Sequence, residues 1–172
     1  PKYENIYMSR SFSTNQELKN FSSFSLVSAL AVHNVLLRQN IFTEIKWPND
    51  IYLNKKKIGG ILIETFKRDG KNLIVVGIGL NIFMKNNTEI DRDWTSLELE
   101  FENIEIDRNE IISEIANEVL LSKLNFEKKD SLPLELFLIS IIDFIGVSTD
   151  VEIGRLRSVS YTHLTLPTRS YV

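Results

Sequence analysis

Asp50-Ile51-Tyr52-Leu53-Asn54-Lys55-Lys56-Lys57-Ile58-Gly59-Gly60-Ile61-Leu62-Ile63-Glu64-Thr65-Phe66 decides the fold, because it reads as two β-rich runs joined by a tight polar turn. Branched and aromatic residues dominate both runs, and Asn54-Lys55 between them is turn chemistry, so the stretch predicts a hairpin. Upstream, Glu44–Lys46 forms a further short strand; downstream, Arg68-Asp69-Gly70 is a second turn before another β-rich run over residues 72–82. The chain here is a series of consecutive antiparallel hairpins. Every residue from Lys46 to Asn81 that could serve chemistry is therefore expected on one sheet.

Helices flank this sheet on the sequence pattern. Residues 24–37 carry a broad apolar face at helical spacing, with Ser22 or Ser23 placed to cap it, and predict a buried helix. His33 on that helix is read as a satisfied core or surface histidine without a role. Asp107 followed by Glu110 forms a capping box for a helix whose Ile112, Ile115, Ala116, Val119 and Leu120 fall three and four apart, and which should cover the sheet. A third helix is expected to start near Pro133 and to turn Phe137, Leu138, Ile141 and Ile142 inward. The fold class is α+β, a mainly antiparallel sheet covered on one face by helices. The loop 83–93 is long and polar enough to move.

Composition narrows the functions. A chain of 172 residues, 43% apolar, holds one sizeable core, and its net charge of −3 argues against a nucleic-acid-binding domain. There is no cysteine, which excludes disulfide and thiol chemistry, and two histidines are too few for a histidine-rich zinc site. No apolar run reaches membrane-spanning length, and cytoplasmic residence is the expectation. Gly77-Ile78-Gly79 after Leu73-Ile74-Val75-Val76 lacks the third glycine and the following helix of a dinucleotide loop, so that reading is rejected.

Three segments carry more information together than apart: Lys46-Trp47-Pro48-Asn49-Asp50, then Lys57-Ile58-Gly59-Gly60-Ile61-Leu62-Ile63-Glu64, then Gly77-Ile78-Gly79-Leu80-Asn81. In this order and spacing they resemble the catalytic core of a biotin protein ligase, over residues 7 to 146. The resemblance implies an enzyme that activates the carboxylate of biotin with ATP as an acyl-adenylate and transfers it to a lysine of a carboxylase's biotin carboxyl carrier domain. It also implies Mg²⁺ beside the nucleotide, and leaves homodimerisation open. Trp94-Thr95-Ser96-Leu97 resembles the segment leading to the covering helix, though a capped loop describes it equally well. Two other classes compete: a lipoate-attaching or octanoyl-transferring relative, and a regulatory module that holds biotinyl-adenylate without turnover.

An acyl-adenylate site needs fixed positive charge and close backbone approach. Lys57 offers a compact ammonium for a carboxylate or for the mixed anhydride that replaces it, and is the expected catalytic residue. Gly59 and Gly60 let a flat ligand lie against the strand, or else mark a bulge; with Lys57 and Ile61 they form the expected biotin-binding set. Lys46 is a second cation for the phosphate side. Asn49, Asp50 and Asn81 offer oxygens of the kind Mg²⁺ prefers, and Lys46, Asn49, Asp50, Gly79 and Asn81 are the expected ATP-binding set, with Asp50 the metal-side carboxylate. Read alone, Lys55-Lys56-Lys57 is a basic hairpin turn, Trp47-Pro48 a core aromatic before an extended residue, and Asn49-Asp50 an ordinary turn.

The resemblance is incomplete. The family's Gly/Arg-rich loop should precede the first helix, yet no glycine stands before Gly59. Residues 1–144 are expected to be part of a catalytic domain, residues 145–157 the start of a small C-terminal β-barrel, and residues 158–172, which hold neither acid nor lysine, a foreign or divergent tail. A chain so cut is expected to be inactive by itself.

Overall fold

A computed structural model describes residues 5–21, 23–85, 93–101 and 104–128. These belong to one compact unit, Pro1–Asp130. The helix expected near Pro133, the segments 145–157 and 158–172, Ser22 as a cap, and most of the loop 83–93 lie outside the described residues.

Five strands form one antiparallel sheet: β1 (Asn5–Thr14), β2 (Glu44–Lys46), β3 (Asp50–Leu53), β4 (Lys56–Arg68) and β5 (Lys71–Asn81), in the order β1-β5-β4-β3-β2. The three hairpins read from the sequence are present, with the Asn54-Lys55 and Asp69-Gly70 turns at positive φ. α1 (Phe24–Arg38) lies against β2, β3 and β4, and α3 (Arg108–Lys128) packs mainly on α1, reaching the sheet at β1. α3 therefore covers less of the sheet than its apolar stripe suggests. A short helix α2 (Leu97–Glu100) follows the segment 93–96. Among the described residues no helix is long and apolar enough to cross a membrane.

Alternation along the strands sorts the two faces. Ile6, Phe12, Ile51, Leu53, Ile61, Ile74, Val76, Ile78 and Leu80 are buried beneath the helices. The 3-10 turn Leu18–Phe21 and both long helices meet in a cluster of Phe21, Phe24 and Phe126, with ring centroids 5.3–5.8 Å apart. Arg10 reaches from β1 to donate to the Ala116 carbonyl of α3. Opposite this covered face lies a largely open one.

Three expectations are corrected in detail. Ser23 stands at the N-cap of α1 without a side-chain cap bond. Asp107 does cap α3, accepting from the backbone N–H groups of Asn109 and Glu110. The buried stripe of α3 is Ile111, Ile115, Val119 and Lys123, so Ile112 and Leu120 sit beside it rather than in it. Trp47, read as a core aromatic, is 67% exposed in the β2–β3 turn, although α1 reaches the next residue, where Ser25 Oγ donates to the Pro48 carbonyl at 3.2 Å. His33 is buried, with Nδ1 2.8 Å from the Thr43 hydroxyl.

Candidate active site

Directly paired residues of antiparallel strands point to the same face, and the register places one row of five across the whole sheet. Lys46 pairs with Asp50, Asp50 with Gly60, Gly60 with Gly79, and Gly79 with Tyr7. All five face away from the helices. With strands about 4.8 Å apart, β3 and β1 are separated by roughly 14 Å, and the two positions between them bear no side chain. The result is a trough floored by Gly60 and Gly79. Tyr7, 69% exposed, forms one bank, and its hydroxyl accepts from the Asn5 amide at 3.1 Å.

Lys57 forms the other bank together with Asp50. Its ammonium donates to Asp50 Oδ1 at 2.6 Å, and a Cβ added at Gly60 would meet that oxygen at 3.4 Å and Lys57 Cε and Nζ at 3.5 Å. Three positions apart on a regular strand, Lys57 and Gly60 would face opposite sides. A β-bulge removes the conflict: Tyr52 pairs with Lys57 but Ile51 pairs with Gly59, so one step on β3 spans two on β4. Ile58 and Gly59 consequently both turn inward, and Lys57 and Gly60 share the open face.

The two glycines thus have different duties. A Cβ on Gly59 would lie 2.6 Å from the Gly79 carbonyl oxygen and 3.1 Å from Leu80 Cδ1, so this position serves the bulge and the close approach of β4 to β5. Gly60 alone faces the trough. Ile61 points its side chain into the core, while its N–H donates to the Asn49 carbonyl at 2.8 Å and its carbonyl accepts from Asn49 Nδ2 at 2.9 Å. Asn49 is therefore a clip across β4. Asn81 lies on the open face two residues beyond Gly79 and donates through Nδ2 to the Thr95 carbonyl at 3.0 Å. Lys46 leans away from Asp50 toward Tyr52, with Nζ 5.0 Å from the ring centroid.

A second row extends the trough. Leu62 pairs with Gly77 and Gly77 with Ser9, and Leu62 is 60% exposed. Neither Leu62, Gly77 nor Tyr7 was singled out for the site by sequence reasoning. Alternation outward from Gly60 and Gly79 could have found Leu62 and Gly77, since residues two apart on a strand share a face, whereas Tyr7 joins them only through the β1–β5 register. As for metal, Asp50 is the one carboxylate in the five-residue row, and among the described residues no three His, Cys, Asp or Glu side chains converge. That donor set does not build a metal cage; it fits a Mg²⁺ carried mainly by phosphates, which takes only one or two protein carboxylates.

Beyond the end of β5, the segment 93–95 occupies the place beside Lys57. The Lys57 N–H donates to the Asp93 carbonyl at 3.1 Å, and its carbonyl accepts from the Thr95 N–H at 2.9 Å. Thr95 and Ser96 are fully buried, and Ser96 donates to the Met84 carbonyl at 2.6 Å. The Glu100 carboxyl is held below the ordinary carboxylate range by the Thr95 hydroxyl first and the Asn54 amide second.

The model of the biotin/lipoate A/B protein ligase family matches residues 4–81, the span that contains the whole row. The bifunctional ligase/repressor BirA of Escherichia coli is 30% identical over 133 residues, which are 75% of this chain and 41% of that protein. The chain spans about two fifths of the length of this curated relative. Among solved structures, the biotin protein ligase of Aquifex aeolicus aligns with a TM-score of 0.58 at 30% identity, covering 72% of this chain and 55% of that one. The same enzyme in complex with biotin and ATP aligns with a TM-score of 0.58 at 30% identity, covering 72% and 52%. A five-stranded sheet bearing the lysine–glycine row, a family model over its strands and solved neighbours of the same architecture agree: residues 4–81 of this chain belong to the biotin/lipoate A/B protein ligase family.

Proposed function

We propose that this chain forms the carboxylate-activating part of a biotin protein ligase. The observation that carries the reading is the trough of Gly60 and Gly79 with the Lys57 ammonium poised over one end. A flat bicyclic ligand fits against two side-chain-free strands, and its carboxylate comes to Lys57. A partly exposed ion pair such as Lys57–Asp50 is worth about 1 kcal/mol or less, so an incoming carboxylate competes with Asp50 for the ammonium. In the first step a carboxylate oxygen attacks the α-phosphorus of ATP and pyrophosphate leaves. Lys57 offsets the charge that builds on the anhydride oxygens, a group already in place before the reaction. In the second, the amine of a carrier lysine attacks the acyl carbon, AMP departs, and an amide forms with loss of a proton.

Lys46, Asp50 and Asn81 are the proposed nucleotide side, and Gly60 and Gly79 floor the biotin side beside Lys57, while Gly59, Ile61 and Asn49 hold β4 in the register that puts them there. Asp50 is the carboxylate offered to Mg²⁺, which supplies neutralisation of the phosphates when bound. The biotin protein ligase of Aquifex aeolicus, solved in complex with biotin and ATP, supports biotin over lipoate within the family. A biotin carboxyl carrier domain as acceptor, cytoplasmic residence and homodimerisation belong to the same proposal. The test is ATP- and biotin-dependent labelling of a carrier domain by the full-length protein. Lys57→Ala is expected to lose at least a hundredfold in rate, the scale of one preorganised charge, and Lys56→Ala much less. Equal losses, or activity retained in the Lys57 variant, overturn the assignment.

A further inference from the structure

Lys57 occupies an unusual backbone position for a residue that must aim a charge. At the bulge its N–H and C=O bond neither to β3 nor to β5 but to Asp93 and Thr95 of the segment beyond β5. The accuracy of the lysine is therefore set by a strap, and the strap needs its own anchor. Glu100 supplies one. Its Oε1 accepts from the Thr95 hydroxyl at 2.5 Å and lies 3.5 Å from Lys56 Nζ, while its Oε2 accepts from Asn54 Nδ2 at 2.7 Å. One nearly buried carboxylate thus ties the strap to the turn residue and the lysine that immediately precede Lys57. The strap beside Lys57 and the chain before it converge on the same two oxygens.

From this convergence we infer that Glu100 is a positioning residue for Lys57, acting through Thr95 on one side and Asn54 and Lys56 on the other. The inference rests on the assignment of Lys57 to the biotin carboxylate. Without Glu100 the buried Thr95 hydroxyl loses its acceptor and the strap can slide. A lysine displaced by about 1 Å at a reacting group loses up to a hundredfold. The Glu100 carboxylate bonds to Thr95, Asn54 and Lys56 and not to the trough, and the other site residue held by Thr95, Asn81, is on the nucleotide side, so the effect of Glu100 on biotin affinity without nucleotide passes through Lys57.

A double-mutant cycle read by calorimetric biotin affinity and by thermal melting tests this on the full-length protein. Glu100→Ala is expected to weaken biotin about tenfold or more. Glu100→Gln, which keeps the shape and one acceptor oxygen, should fall between it and wild type. Lys57→Ala weakens biotin as well, and adding Glu100→Ala to it should cost no further affinity, while the fall in Tm from Glu100→Ala is the same in both backgrounds. If Glu100→Ala and Glu100→Gln leave affinity unchanged, or if Glu100→Ala weakens biotin by the same factor with and without Lys57, the positioning role is wrong. If Lys57→Ala itself leaves biotin affinity unchanged, the reading of the site fails first, and that outcome is distinct. Should Glu100→Ala not fold, the cycle is completed with Glu100→Gln and the same criteria apply.

Discussion

Adding one methyl group at Gly59 or at Gly60 separates structural from ligand-facing duty. At Gly59 the new Cβ would stand 2.6 Å from the Gly79 carbonyl oxygen, a backbone atom that cannot swing away, so β4 and β5 must part locally. Overpacking of this kind costs about 1–3 kcal/mol, which at roughly 4 °C per kcal/mol is a fall in Tm of about 4–12 °C. At Gly60 the nearest atoms would be Asp50 Oδ1 at 3.4 Å and Lys57 Cε and Nζ at 3.5 Å, ordinary contact with side chains. Replacing a strand glycine by alanine also recovers about 0.5–1 kcal/mol of backbone entropy, so Gly60→Ala should melt no lower than wild type. Its methyl group nevertheless lifts any ligand off the trough floor and moves the ligand carboxylate from Lys57. Loss of one charged hydrogen bond is worth about 1.5–3 kcal/mol, which is roughly a 10- to 100-fold weaker Kd for biotin. Melting and calorimetric titration of both variants decide the matter. A Gly60→Ala protein with unchanged biotin affinity refutes the trough, and one that melts as low as Gly59→Ala assigns both glycines to the bulge.

Burial lowers the His33 pKa below its usual 6.5, so the folded state favours the neutral ring; this contribution to stability is present above about pH 6.5 and is lost as pH falls toward the lowered value. Wild-type Tm should therefore drop between about pH 7.5 and about pH 5.5, and His33→Gln should remove that part of the drop; an identical pH profile in the variant counts against it. In α3, Ile115→Ala should cost about 2–5 kcal/mol in chemical denaturation and Ile112→Ala clearly less, because Ile115 is fully buried and Ile112 is not. Equal losses would place Ile112 in the core stripe after all.

The consecutive hairpins from β2 to β5 were legible because they are local, whereas the pairing of β1 with β5 joins residues far apart in the chain and was not. Branched runs broken by Asn54-Lys55 and Asp69-Gly70 leave few other solutions, and β2 and β3 begin and end where the pattern placed them. The helix face was less legible: Ile111, Ile112, Ile115 and Ala116 are all apolar, and choosing which pair faces inward requires knowing where α1 lies. Trp47 misled for a related reason, since the direction of a turn side chain is set by tertiary geometry: α1 reaches Pro48, yet the neighbouring ring stays exposed.

The site shows most clearly where sequence reasoning ends. A strict period of two joins Lys57 to Gly59 and turns Gly60 away, yet the bulge at Ile58 reverses this and sets Lys57 over Gly60. The glycine pair marked a bulge as one alternative, but not its place or its effect on Lys57, because these are tertiary: Lys57 gives its backbone bonds to residues 93–95, nearly forty positions later in the chain. The row Lys46–Asp50–Gly60–Gly79–Tyr7 is likewise a product of register, assembled from three pairings within consecutive hairpins and one, Gly79–Tyr7, between strands far apart in the chain. Sequence could name Lys57, Asp50 and the glycines as chemically apt. Register decides which of them meet, and it divides two adjacent glycines between the fold and the ligand.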